Sequence, residues 1–164
     1  MSSMNQSDVG VGTSTSGTSK ERLRLWLRLL KVSRLIEGEL RERLRKEFDS
    51  TLPRFDVLAA LDRAEHGLRM SELSGVLRVS NGNVTGIVDR LVEEGLLLRV
   101  PVEGDRRASL VRLTRKGSES FAAMAQVHER WINELLGDIA PEEAQQISTL
   151  LSGVAAKAGH EGQV

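Results

Sequence analysis

The sequence predicts a mainly α-helical fold carrying one small β-hairpin. Apolar residues recur at helical spacing over several long stretches. One apolar, β-branched run at 96–102 faces an alternating run at 109–113 across a charged turn. Aromatic residues make up only 3 % of the chain and Tyr is absent, so Leu, Val, Ile and Ala must build the core. The 164 residues suffice for one domain or one intertwined α-rich subunit.

Residues 1–19 are Ser, Thr, Gly and Asn with almost no apolar content, and a disordered tail is expected there. A long helix follows from Glu21 to Phe48, with order beginning near Ser19 or Lys20. One stripe on it holds Leu23, Leu27, Leu30, Leu40, Leu44 and Phe48, and a neighbouring stripe holds Leu25, Leu29, Val32 and Ile36. Two stripes need two burial partners: the helix's own domain and, for the other, a second subunit. Thr51, Leu52 and Pro53 start a second helix that carries Phe55, Leu58, Ala59 and Leu61 inward and closes at Glu65, His66 and Gly67. A short helix from Met70 to Leu77 and a turn at Arg78 lead to Ser80, a good N-cap residue. The next helix buries Val84, Ile87, Val88, Leu91 and Val92 and stops at Gly95. After the hairpin, Thr114 caps a helix reaching Leu136 and Gly137, and Pro141 opens a last one that frays in a tail at 159–164. The expected organisation is a helical dimerisation region at 20–50 and 115–158 around a second region at 51–114 that holds the short helices and the hairpin.

Several functions are excluded or disfavoured. With no Cys, the chain has no disulfide, thiolate metal site or thiol switch, which fits a reducing cytoplasm. No apolar run reaches the roughly 18 residues of a membrane span, and no signal pattern opens the chain. No catalytic residue is expected, because there is no Gly-rich phosphate loop and no clustered His–carboxylate set. Asp89, Glu93 and Glu94 read as a solvated face. His66 and His128 lack a third ligand, so no metal and no cofactor is expected.

The net charge is zero, yet residues 78–116 hold eight basic against five acidic residues. Phosphate contact depends on where charge sits rather than on its total. The short helix, turn and capped helix have the order of a helix-turn-helix, whose second helix meets base edges with its N-terminal residues. Its tip is Ser80, Asn81, Gly82, Asn83, Val84, Thr85 and Gly86. Asn pairs with adenine through both groups of its amide, and hydroxyls reach phosphate or base. Two glycines inside a helix each cost roughly 1 kcal/mol, for which close approach to DNA is one physical reason. Arg106 and Arg107, at the hairpin turn after Asp105, suit a narrow minor groove, and Asp105 can hold one of them in place.

These residues resemble the multiple-antibiotic-resistance regulator (MarR) family of winged helix-turn-helix transcription factors. The likeness runs from about Glu21 to Ala156. It is carried by Ser71-Glu72-Leu73, Val79-Ser80, Val84-Thr85, Val88-Asp89-Arg90-Leu91, Glu94-Gly95-Leu96, Asp105-Arg106-Arg107 and Val111-Arg112-Leu113-Thr114. The resemblance implies a homodimer built from the first and last two helices, with a recognition helix in each major groove and a wing in each minor groove. Asn81, Asn83 and Thr85 would then supply base contacts, Ser80, Arg90 and Arg112 would hold the backbone, and the operator would be pseudo-palindromic. Arg69 stands where a Ser or Thr would complete a capping box with Glu72, and Ala140 replaces a polar cap, so both caps are expected to be missing.

The stretches 22–45, 51–58 and 79–86 also look like regulators of aromatic-acid catabolism, in which an aromatic acid or its coenzyme A thioester releases a repressor. An anionic aromatic effector needs an apolar slot and a cation. Trp26, Arg34, Arg54 and Phe55 are the candidates, in a pocket where the first, second and fifth helices meet the winged region. The same Trp can instead be dimer core and both Arg solvated. A constitutive DNA-binding protein, or an efflux or stress regulator with another effector, stays open as the alternative.

Overall fold

A computed structural model describes residues 14–160 apart from 79 and 103, with side chains for all of these but 14–16, 81, 106–108, 159 and 160. The chain runs α1 (Ser14–Phe48), α2 (Leu52–Asp62), β1 (Leu68–Arg69), α3 (Met70–Leu77), α4 (Asn81–Glu93), β2 (Leu97–Val102), β3 (Asp105–Leu113), α5 (Arg115–Leu135) and α6 (Pro141–His160). The sheet is antiparallel in the order β1-β3-β2. It is the mainly helical fold with a hairpin that the sequence predicts.

The core lies where α2, α3, α4 and the sheet meet. Val57 and Leu58 of α2, Leu73 of α3, Val84, Val88 and Leu91 of α4, Leu97 of β2 and Val111 of β3 are all but sealed from solvent. Each such side chain contributes roughly 1.5–3 kcal/mol by leaving water. The C-terminal half of α1 joins through Leu40 and Leu44, and α5 through Met124 and Trp131. Trp131 meets the edge of Phe48, with ring centres 6.2 Å apart.

The other half of α1 is different. Leu23, Leu25, Trp26, Leu27, Val32 and Leu35 are between 47 % and 63 % exposed. On α6, Leu150 and Val154 are 72 % and 65 % exposed. Between the two helices runs an apolar groove that includes Leu29, Val32, Ile139, Ile147 and Leu151.

Several boundaries depart from expectation. Helix α1 begins at Ser14, so 14–19 are helical where a tail was expected; 1–13 and 161–164 lie outside the described residues. Once a helix exists, each further Ser or Thr costs only a few tenths of a kcal/mol, so weak helix formers extend it. Helix α2 stops at Asp62, well before Gly67; Gly67 (φ +82°) serves instead the turn into β1. There the Arg112 side chain and the Val111 carbonyl occupy the place of a Cβ. Half of each cap survives. The Glu72 carboxylate accepts from the Arg69 N–H at 2.7 Å, and Glu143 accepts from the Ala140 N–H at 2.9 Å. The acid at the third helical position supplies its own half of the box, while the half a hydroxyl would supply, accepting from the N–H at that third position, is missing at Arg69 and Ala140.

Gly117 shows the closest approach between elements. A Cβ there would lie 1.9 Å from the Leu96 carbonyl oxygen, because the first turn of α5 rests on the backbone leaving α4. Thr114 fixes this contact by accepting from the Gly117 N–H at 3.0 Å and donating its hydroxyl to the Gly95 carbonyl at 2.6 Å. Gly117→Ala is expected to lower stability by about 1–3 kcal/mol or more in urea unfolding, since backbone must move to admit the methyl.

Candidate nucleic-acid interface

Helix α4 has two faces of opposite character. Val84, Val88 and Leu91 are fully buried, while Gly82, Asn83, Thr85, Gly86, Asp89 and Arg90 are exposed. Ser80 precedes the helix in an extended conformation, and its carbonyl accepts from the Asn83 and Val84 N–H groups at 3.2 and 3.3 Å. Its hydroxyl makes no cap hydrogen bond, so the expected side-chain cap is replaced by the backbone, and the Ser80 side chain stays exposed. A Cβ built on Gly82 or Gly86 meets nothing within 4 Å. Nothing inside the subunit requires glycine at either position.

The turn from α3 into α4 is tight. Arg78 takes the left-handed conformation at φ 53°, and its N–H donates to the Gly75 carbonyl at 3.3 Å. A left-handed residue other than glycine costs roughly 1–2 kcal/mol, so the angle between these helices is held against strain.

The wing is β2 and β3. Leu97 pairs with Leu113, and the register continues to Pro101 opposite Ser109 before jumping to Val102 opposite Asp105. Residues 106–108 therefore fall in a bulge of β3. This corrects the expectation that Arg106 and Arg107 sit in the turn with β3 starting at Ser109; the strand already begins at Asp105. The side chains of Asn81, Arg106 and Arg107 lie outside the described residues. Asp105 is exposed. The exposed Arg112 lies over Gly67 and donates to the Glu65 carbonyl at 3.4 Å.

Two ion pairs hold α4, one to the wing and one to α2, and neither is signalled by local sequence. Arg99 of β2 reaches Asp89 of α4 at 2.6 Å, fixing wing root to helix. Arg54, at the start of α2, grips Glu94 at the C-terminus of α4 through both guanidinium ends, one at 2.8 Å. Lys116 adds a bond from its ammonium to the Glu94 carbonyl at 2.8 Å. The Arg54 hydrogen bonds hold the Glu94 carboxyl below its ordinary range, with Lys116 and Arg90 helping at longer reach.

The four candidate effector residues do not come together. Trp26 and Arg34 lie exposed on α1. Arg54 lines a cavity of roughly 680 Å³ between the end of α1, the start of α2, the end of α4 and the start of α5. Phe55 is a core residue, 8 % exposed, stacked on His128 at 4.6 Å and packed against Phe121. It lines a second cavity with Asp56 and His128. Burial raises the Asp56 carboxyl and lowers the His128 imidazole from their usual ranges. Helical neighbours point about 100° apart, which is why Arg54 and Phe55 serve different spaces. Among the described residues no group of three or more His and carboxylates could hold a metal ion, and no helix is long and apolar enough to cross a membrane.

Residues 48–108 match the model of the MarR family. The regulator PecS of Dickeya dadantii is 30 % identical over 128 residues, 77 % of this chain and 76 % of that protein. The transcriptional activatory protein BadR of Rhodopseudomonas palustris is 32 % identical, over 78 % of this chain and 75 % of its own length. A mutant MarR of E. coli, solved in complex with operator DNA, superposes with a TM-score of 0.70 at 30 % identity, covering 82 % of this chain and 95 % of that one. These relatives are regulators of transcription rather than enzymes. By sequence and by fold alike, the chain belongs to the MarR family of DNA-binding transcriptional regulators.

Proposed function

We propose that the protein is a homodimeric, ligand-responsive repressor that releases a pseudo-palindromic operator when it binds an aromatic acid or its coenzyme A thioester. The observation that carries DNA reading by α4 is its divided surface: three sealed apolar side chains on one side, and an open, polar, glycine-bearing face on the other. Asn81, Asn83 and Thr85 reach base edges from that face, and Ser80, Arg90 and Arg112 hold the backbone. Arg106 and Arg107 enter the minor groove from the bulge of β3. Cytoplasmic DNA is the target.

Homodimer formation is supported by the apolar half of α1 and the exposed side of α6. A second copy laid on this surface removes Leu23, Leu27, Val32, Leu150 and Val154 from water. Trp26 belongs to the same surface, which favours a dimer contact over an effector contact for it. Ligand response is supported by the cavity beside Arg54, at the place where the dimerising helices join the winged region. In a dimer whose readers must match grooves about 34 Å apart, a small change at that joint breaks simultaneous contact.

Footprinting is expected to show two protected half-sites about 10 bp apart; protection of one asymmetric half-site by a monomer would rule out the dimer. Arg107→Ala is expected to weaken DNA binding and to reduce the slope of log affinity against log salt by about 1 while the dimer persists in sedimentation. Gly86→Ala is expected to stabilise the fold by about 1 kcal/mol in thermal unfolding and to weaken operator binding at least threefold in anisotropy titrations. Undiminished affinity there would mean that the glycine face does not approach DNA.

A further inference from the structure

The densest positive charge of this chain lies outside the wing, on the free half of α1. Residues 20–36 hold six basic residues and one acid, a net of +5, in a chain whose total is zero. Residues 78–116, which include the wing, hold eight basic against five acidic. Lys20, Arg24, Arg28 and Lys31 follow one another at intervals of four, four and three, so they share a sector of about 80° on the helix surface. Successive cations stand about 5–6 Å apart along the axis, and the ridge they form is about 17 Å long. All four are exposed. From Lys31 to Leu40 the helix ends half a turn round, so the ridge points away from the core that Leu40 and Leu44 join.

Few acids stand near this charge. Between Glu21 and Glu37 α1 has none, and Glu21 is paired with Arg24. Lys20, Arg28 and Lys31 make no ion pair among the described residues. Helix α6 forms the other wall of the groove that Arg28 borders, and from Ala144 to Ala158 it carries Lys157 and no acid. Like charges three and four residues apart oppose the helix that bears them. Within the described subunit only Glu21 offsets them; a polyanion laid along the ridge would offset them all.

We propose that this ridge binds the phosphate backbone of a second stretch of double-stranded DNA, separate from the one that α4 and the wing meet. A straight row of cations at a regular step fits a polymer with a charge on every repeat, and duplex DNA carries one about every 1.7 Å of its axis. The contacts go to phosphate, so binding is independent of sequence and is driven by counterion release. An anionic membrane surface needs apolar side chains beside the cations to enter it. Leu23, Trp26 and Leu27 occupy the neighbouring sector, and in the homodimer proposed above a second copy covers them. That step rests on the homodimer reading; the ridge itself does not. A protein seated on its operator meets flanking duplex at high effective concentration, so a weak second contact suffices to bridge two segments.

The test is sedimentation of the full-length protein with two duplexes carrying different dyes. One is the operator recovered by footprinting, at one equivalent; the other has an unrelated sequence. Both dyes are expected in one complex with the protein. Affinity for the unrelated duplex is expected to fall with salt at a log–log slope of about −3 to −4, from four ridge cations. Lys20→Gln combined with Lys31→Gln is expected to flatten that slope by about 2 and to weaken the second duplex at least tenfold at about 50 mM salt. Operator affinity should stay within about twofold. An operator complex that takes up no second duplex, or a double variant that holds it as tightly as before, would overturn the proposal. Equal loss of operator affinity in the variant would place the ridge on the same duplex as α4, and overturn it too. So would binding to vesicles of phosphatidylserine and phosphatidylcholine without binding of the second duplex. A single subunit sedimenting with both duplexes overturns the homodimer reading and leaves the ridge standing; a dimer that holds the operator alone does the reverse.

Discussion

Everything that presents α4 and the wing depends on the backbone between Glu94 and Leu96. There α4 ends, β2 begins and α5 rests. The Leu96 N–H donates to the Leu91 carbonyl at 2.9 Å, closing the helix, and the Leu96 carbonyl accepts from the Thr114 N–H at 3.0 Å, closing the hairpin. The Gly117 backbone lies against that same carbonyl, so no side chain separates α5 from the junction. Gly95 at φ +74° permits the reversal. A short segment is thus shared by α5, the helix and the wing.

Much of this was legible in the sequence because it is local. Apolar residues at helical spacing mark α2 to α5, and Thr114 before Arg115 announces its helix. The tip of α4 is polar and glycine-bearing over consecutive residues, so its exposure could be read without a fold. What stayed hidden is long-range or too short to have a period. Strand β1 has only Leu68 and Arg69, and no alternation shows in two residues. The bulge at 106–108 is a property of pairing between strands rather than of either strand alone. Arg54 and Glu94 are 40 positions apart, and only the packing of α2 on α4 makes them partners. The four effector candidates lie apart within one subunit for the same reason: chosen by type, they had no local signal that they share a space.

The charge distribution resolves a contradiction between a neutral chain and a DNA-binding family. Of the basic residues near α4, Arg54 and Arg99 are committed to carboxylates, which lowers their value to phosphate. Such pairs contribute little to stability where solvent screens them. Their effect is geometric: Asp89 and Glu94, which would repel DNA from α4 itself, are each occupied by an arginine. The ion pairs neutralise acids on the reading helix as much as they position it. A neutral total is then compatible with a face where two acids of this helix, Asp89 and Glu94, are already paired with arginine.

The glycines of α4 complete the argument about which face meets a partner. A residue kept small for internal packing shows it by what a Cβ would strike, as Gly117 and Gly67 do. Gly82 and Gly86 strike nothing, yet each weakens the helix by roughly 1 kcal/mol relative to alanine. Propensity and packing both argue for a larger residue at these positions, and neither explains the glycines. Close approach of an outside surface, nearer to the helix backbone than a methyl group allows, is one physical reason for them. Both glycines line one groove with Asn83 and Arg90, so on the proposed reading the approach lies beside a donor suited to bases and a cation suited to phosphate.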